Sequence, residues 1–345
     1  MLQLKNETPF VPSIAVFPNQ QGIDTLYVTV KATFDLGARV DVSQQQQPVR
    51  MADEWWGEPG HSSLKYASEI HLSKPSTDVI VVGDACLPGR RPVQQLDVAV
   101  SVGDRSKILR VFGDRVWERG FFGINISTPQ MFETMPLVYE RAFGGVHIVD
   151  EPNNKVVYEP RNPVGKGFLG KRTKQDIEGQ ALPNLEDPAQ LITQPAGRPA
   201  PLCFAPVAPN WEPRKLFAGT YDDAWQKTRS PYLPENFDNR FFNSAHPALQ
   251  TKSYLLGGEV IELTNMSPHG PLRFALPKCQ ITTQVRIAGH LERPSLILDT
   301  VLIEPNEMRL TLLWRGALSC DKKALKVEQV EFSLDRMLLP LRVAG

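Results

Sequence analysis

The stretch SLILDTVLIEPNEMRLTLLWRGAL, residues 295 to 318, carries two strand patterns around one turn. Leu298, Thr300, Leu302 and Glu304 alternate with Asp299, Val301 and Ile303, and Pro305-Asn306-Glu307 then turns the chain into a second run from Met308 to Trp314. This is a hairpin signal: period-two runs rich in β-branched and large apolar residues, with a proline-led turn between them. The same texture extends on both sides. YLLGGEVIELTNM (254 to 266), PLRFALP (271 to 277) and QITTQVRIAGH (280 to 290) precede the hairpin, and VEQVEFSL (327 to 334) supplies a final strand.

Period-two patterning also fills the N-terminal part. LYVTVKATFDL (26 to 36) and LDVAVSV (96 to 102) place Leu26, Val28 and Val30, and then Leu96, Val98, Val100 and Val102, on single faces, so both read as half-buried strands. Turn signals at Gly103-Asp104 and Gly113-Asp114, about ten residues apart, have the rhythm of an antiparallel meander. VIVVGD (79 to 84) fits that hairpin rhythm better than it fits the acidic strand end that accompanies a P-loop.

Between these parts the texture changes. Fourteen of the thirty prolines fall between Pro152 and Pro247, yet Trp211, Tyr221, Trp225, Tyr232, Phe237, Phe241 and Phe242 are interleaved with them. Aromatics at that density need burial, so this is read as an ordered excursion laid over the β core rather than a disordered linker. Tyr221 and Trp225, four apart in TYDDAWQKT, mark its best short helix. The expected fold is mainly β, with antiparallel sheets in a sandwich- or barrel-like arrangement, a long Pro/aromatic-rich excursion and few short helices. Residues 1–345 are read as one large domain: an N-terminal β part (1–135), the excursion (136–253) and a C-terminal β part (254–345).

Lys plus Arg equal Asp plus Glu at 38 each, so no general attraction to nucleic acid or anionic membranes is expected. The four cysteines stand in no metal-ligand spacing, and the N-terminus shows no basic region followed by an apolar core. A cytoplasmic protein with reduced thiols, no metal and no cofactor is the expectation.

GKGFLGKR (165 to 172) imitates a phosphate loop but places Arg172 where Mg²⁺ binding needs Ser or Thr, and Pro160 and Pro163 forbid a lead-in strand. A simpler reading covers Arg161, Asn162, Gly165, Lys166, Gly167 and Phe168. Glycines let the backbone approach another segment while Phe168 fills a pocket, either as an internal brace or as an exposed contact. No G-x-S-x-G, H-E-x-x-H or dinucleotide fingerprint is present. His246 reads as a structural histidine ahead of a titrating one. Asp222, Asp223, Glu235 and Asp238, near Tyr221, Trp225 and Trp211, leave one enzymatic alternative: a carbohydrate-active hydrolase or carbohydrate-binding cleft built on Asp222, Asp223, Asp238 and the tryptophans.

The ordered set YERAFGG (139 to 145), RNPVGKGF (161 to 168), LPNLEDP (182 to 188), APNWEPR (208 to 214), GTYDDAW (219 to 225), LPENFDNRFFNSAHPALQ (233 to 250), LGGEVIELTNMSP (256 to 268) and LILDTVLIEPNEMRLTLLWR (296 to 315) resembles the domain of unknown function 2169 family, found with type VI secretion clusters. The resemblance covers nearly the whole chain. It implies a non-enzymatic adaptor or chaperone that binds a toxin effector, often through a PAAR-domain protein, and helps load it onto the VgrG spike. The family carries no assigned catalytic residues. Arg161, Asn162, Gly165, Gly167, Phe168, Trp211, Arg214, Tyr221, Asp222 and Trp225 are the residues expected to contact the effector.

Overall fold

A computed structural model describes residues 2–340 apart from 104, 122 and 154. It is mainly β, with several antiparallel sheets and one six-residue α-helix beside short 3-10 turns. The hairpin of residues 295–318 sits at its centre. Ile297–Glu304 pairs antiparallel with Arg309–Ser319 across the turn Pro305–Glu307, with Met308 in the left-handed region at φ 48°. Arg309–Ser319 then pairs along its whole length with Asp24–Leu36. Val11–Pro18 and Val40–Val42 extend that side, and Asp78–Val81 closes the other, giving six strands.

Two sequence expectations fail here. Asp24–Leu36 is buried on both faces rather than half-buried. Leu26, Val28, Val30, Ala32 and Phe34 enter the core, while Thr25, Thr29, Lys31 and Thr33 on the opposite face are covered as well. Residues 43–71 lie over that face: Gln46 Oε1 accepts from Thr33 N (2.9 Å), and Lys31 Nζ donates to Pro48 O (2.8 Å) and to Glu69. Asp78–Val81 is no hairpin arm either. It runs parallel to Ile297–Glu304, and its unbroken apolar run suits a strand covered on both faces.

A five-stranded sheet packs on the same core in the order Leu185–Glu186, Arg105–Phe112, Gln95–Val102, Val260–Thr264, Leu272–Ala275. The LDVAVSV strand alternates as expected, with Leu96, Val98, Val100 and Val102 inward. Its turn at Gly103 joins two antiparallel strands; Asp104 lies outside the described residues. The second turn, Gly113-Asp114, does not continue a meander. Leu185–Glu186 already occupies the free edge of Arg105–Phe112, so the chain leaves the sheet and forms a separate ribbon, Trp117–Gly120 with Gly123–Ile126. A third sheet pairs Val327–Leu338 antiparallel with Lys278–Ile287 and parallel with Gln3–Glu7. Residues from all three sheets share one hydrophobic cluster.

The excursion is ordered. Leu202, Phe204, Val207 and Trp211 insert into the main core, and Phe204 O accepts from Val81 N at 3.0 Å, tying the segment to the large sheet's edge. A second, smaller cluster of Trp117, Phe143, Phe168, Ile177, Leu182 and Ile192 stands beside the main one. No helix among the described residues is long and apolar enough to cross a membrane.

Candidate functional site

The glycine loop builds the second cluster. Phe143–Gly144 pairs parallel with Lys166–Gly167, so the amides of Lys166 and Phe168 donate to the carbonyls of Ala142 and Gly144 (both 3.0 Å). A phosphate cradle needs those N–H groups free; here they close a brace. Gly165 permits the close approach, since a Cβ there would stand 2.6 Å from Ala142 O. Gly167 has φ 90° and would press a Cβ within 2.6 Å of Pro183. Asn162, fully buried, donates from Nδ2 to Tyr139 O (2.8 Å) and Phe143 O (3.0 Å). Arg161 is half-buried and holds Glu159 through two bonds of 2.6 and 2.9 Å, which keep that carboxyl below its usual range against the upward push of burial. Phe168 is 7% exposed. Asn162, Gly165, Gly167 and Phe168 therefore act inside the molecule, as a brace.

Trp211 and Arg214 are internal too. Trp211 meets the Tyr139 ring edge-on at 5.6 Å within the main core. Arg214 donates from Nε to Phe241 O (2.8 Å) and from a terminal nitrogen to Val207 O (2.6 Å), clamping two turns of the excursion, and burial pushes its pKa down to about 10. Tyr221, Asp222 and Trp225 are at the surface instead. Asp222 caps the helix Asp223–Thr228 by accepting from Trp225 N (2.8 Å), the Tyr221 and Trp225 rings meet edge-on at 4.8 Å, and Trp225 Nε1 donates to Tyr232 O (2.8 Å).

Of the residues read as a sugar cleft, Asp222, Trp225 and Glu235 line one open pocket of about 350 Å³, while Trp211 stands apart in the main core. Asp238 is held below its usual range by Arg240, at 2.6 and 2.9 Å, and caps the turn Asn239–Phe242. A general acid requires the opposite shift. His246 accepts from Ala248 N (3.2 Å) and caps Pro247–Leu249, with its pKa pushed down to about 4 by burial and then by Lys107.

Three further features lie outside the residues that the sequence singled out as a site. The first is a buried ionic network under residues 43–78: Lys31 with Glu69 (2.7 Å), Arg315 with Asp299 (2.7 Å) and Lys74 with Asp78 (2.8 Å). His71 accepts from Arg315 (3.2 Å), stacks on Phe242 at 5.2 Å, and is held well below its usual pKa by burial and that guanidinium. The second is an open groove of about 730 Å³ where the YERAFGG, GKGF and PNE segments converge, lined among others by Arg141, Lys166, Asp114 and Asn306. Buried Asn184 organises its floor: Oδ1 accepts from Lys166 (2.8 Å) and Arg141 (3.1 Å), and Nδ2 donates to Asp114 (2.9 Å).

The third feature is a two-stranded ribbon, Val146–Asp150 with Lys155–Tyr158. Register pairs Val146 with Tyr158 and Ile148 with Val156, so all four side chains share one face, and they are 47, 49, 52 and 43% exposed in that order. Among the described residues neither outer edge of the ribbon is paired. Val157, on the other face, anchors it to the second cluster. A period-two reading of VHIVD and KVVY could have found this ribbon, but Pro152 and the short strands hide it among the prolines.

The braced loops thus hold the root of a ribbon whose apolar face points outward. The chain belongs to the DUF2169 family, described as an uncharacterized protein conserved in bacteria; the family's model matches residues 21–315. No curated protein and no solved structure matches the chain.

Proposed function

We propose that the protein is a non-enzymatic adaptor of the bacterial cytoplasm that holds a type VI secretion effector, or the PAAR-domain protein linked to it, until the VgrG spike takes it over. The observation that carries this reading is the ribbon of Val146, Ile148, Val156 and Tyr158, half-exposed on one face and open at both edges. Isolated exposed apolar side chains are ordinary; four in register on a projecting ribbon form a contact surface. Open strand edges accept an extended segment by strand addition, and the apolar face supplies pockets for its alternate side chains. The brace of Asn162, Gly165 and Gly167 holds the ribbon's root rigid, which lowers the ordering cost of binding. Zero net charge leaves the contact to shape and apolar burial rather than to long-range steering. Tyr221 and Trp225 offer a second aromatic anchor on the same chain.

The test is co-purification. Tagged protein is incubated in an extract holding the products of neighbouring genes and passed over a size-exclusion column. Co-elution of an identified toxin or PAAR-domain protein in a one-to-one complex, without other spike components, supports the adaptor. Elution alone, together with glycan breakdown in the same extract, refutes it.

A further inference from the structure

We propose that the pocket beside Phe168 receives the C-terminal residue of the partner polypeptide, its apolar side chain against Phe168 and Ile177 and its carboxylate between Arg172 and Arg198. This deepens the adaptor reading and rests on it.

The pocket has a volume of about 280 Å³, and Phe143, Phe168, Leu169 and Ile177 form its apolar part. Phe143, Phe168 and Ile177 are each buried and belong to the second cluster, so this floor is preformed. Arg172 and Arg198 also line it. Arg198 is exposed, lies 5.1 Å above the Phe168 ring, and makes no hydrogen bond among the described residues. Arg172 spends one terminal nitrogen on the carbonyls of Phe168 (3.2 Å) and Leu169 (3.1 Å) and keeps the rest of its fork. Two carboxylates stand near: Asp176 takes the Thr173 hydroxyl at 2.6 Å and its amide at 3.2 Å and feels Arg172, and Glu159 is bonded by Arg161 and feels Arg198 from farther off, which leaves three guanidinium groups to two carboxylates. The pocket thus joins an apolar floor to surplus positive charge.

The spacing decides which anion fits. Arg198 stands directly over the ring that forms the floor, so the anionic group and the apolar group of the ligand must be close neighbours. A terminal residue meets this condition, because its α-carboxylate and its side chain leave the same Cα; a short fatty acid is the competing fit, and the octanoate probe below separates the two. An internal acidic residue would need a separate apolar neighbour and room for the chain to leave in two directions. The volume lies below the roughly 300 to 1,000 Å³ of sites that enclose drug-sized ligands, which suits a single residue. Capture of a terminal carboxylate is an established mode of peptide recognition.

The experiment uses the full chain and four probes in titration calorimetry: an acetylated pentapeptide ending in Leu-Leu with a free carboxylate, the same peptide as its amide, a doubly capped peptide with an internal Leu-Glu pair, and octanoate. The free acid is expected to bind, and amidation to weaken it about tenfold or more, the worth of one charge-assisted contact. Arg198→Gln should cost the free acid a similar factor and leave the amide unchanged; this exposed side chain carries no hydrogen bond, so the variant keeps the fold. Equal binding of acid and amide, no binding of the acid at millimolar concentration, equal binding of the capped Leu-Glu peptide, or tighter binding of octanoate would each overturn the assignment. The co-purification above separates the two claims. A captured effector with no peptide binding removes this pocket alone, and peptide binding with no captured secretion partner removes the adaptor while leaving the pocket.

Discussion

Replacing Asn162 with Ala tests the brace beneath the ribbon. Its amide donates to two carbonyls, and the two losses differ. Tyr139 O also accepts from Ala142 N at 3.1 Å, so it keeps a partner and the loss there is one net hydrogen bond, about 1 kcal/mol. Phe143 O would be left buried and unpaired, which costs about 1 to 3 kcal/mol. The sum is about 2 to 4 kcal/mol of destabilisation as an upper bound, because Asn162 Oδ1 is buried without a partner and its removal offsets part of the loss. Arg273→Ala, on an edge strand of the five-stranded sheet, removes only an exposed pair with Glu262 (3.9 Å) and should cost less than about 1 kcal/mol. Urea unfolding followed by tryptophan fluorescence compares the two, since Trp117 lies in the affected cluster. Hydrogen exchange of the Lys166 and Phe168 amides reports the same event locally. An Asn162→Ala protein as stable as Arg273→Ala, with unchanged protection at 166 and 168, would refute the brace.

The ionic network makes a different demand. Arg315→Met should destabilise by about 3 to 5 kcal/mol because Asp299 stays buried without its partner, and adding Asp299→Leu should recover most of that loss; denaturant midpoints of both variants check it. His246 sets a pH dependence. Its folded pKa of about 4 lies below the ordinary 6.5, so the unfolded chain binds the extra proton first, and stability should fall as pH drops from about 6.5 to about 4. His246→Asn keeps an acceptor for Ala248 N and should lessen that fall by up to about 3 kcal/mol in all, the share of buried His71 remaining. Asp222→Ala removes the cap of Asp223–Thr228 at a cost of about 1 kcal/mol, seen as faster hydrogen exchange confined to residues 223–230.

The strands that one segment can declare were legible in the sequence. The hairpin of 295–318, the LDVAVSV alternation and the Asp222-capped helix all rest on local pattern and turn chemistry. What failed depends on residues far apart. Asp24–Leu36 looked half-buried because Thr25, Thr29, Lys31 and Thr33 are polar, and only Glu69, Pro48 and Gln46 arriving from elsewhere make their burial tolerable. Parallel partners such as Asp78–Val81 with Ile297–Glu304, and Gln3–Glu7 with Val327–Leu338, share no turn that could announce them. The candidate site divides the same way. Glycines and Phe168 signalled a special loop, but whether it faced inward was settled by Ala142, Gly144 and Pro183. Trp211 and Trp225, fourteen residues apart in one aromatic-rich stretch, went to the core and to the surface.

The most direct measurement is effector capture by tagged wild-type protein beside an Ile148→Asp variant, whose charge falls on the centre of the exposed ribbon face while the buried brace stays intact. Circular dichroism and unfolding midpoints should match between the two. The wild type is expected to elute with an identified effector or PAAR-domain protein, and the variant to elute alone. Equal capture by both, or no capture by the folded wild type, would contradict the adaptor and its ribbon.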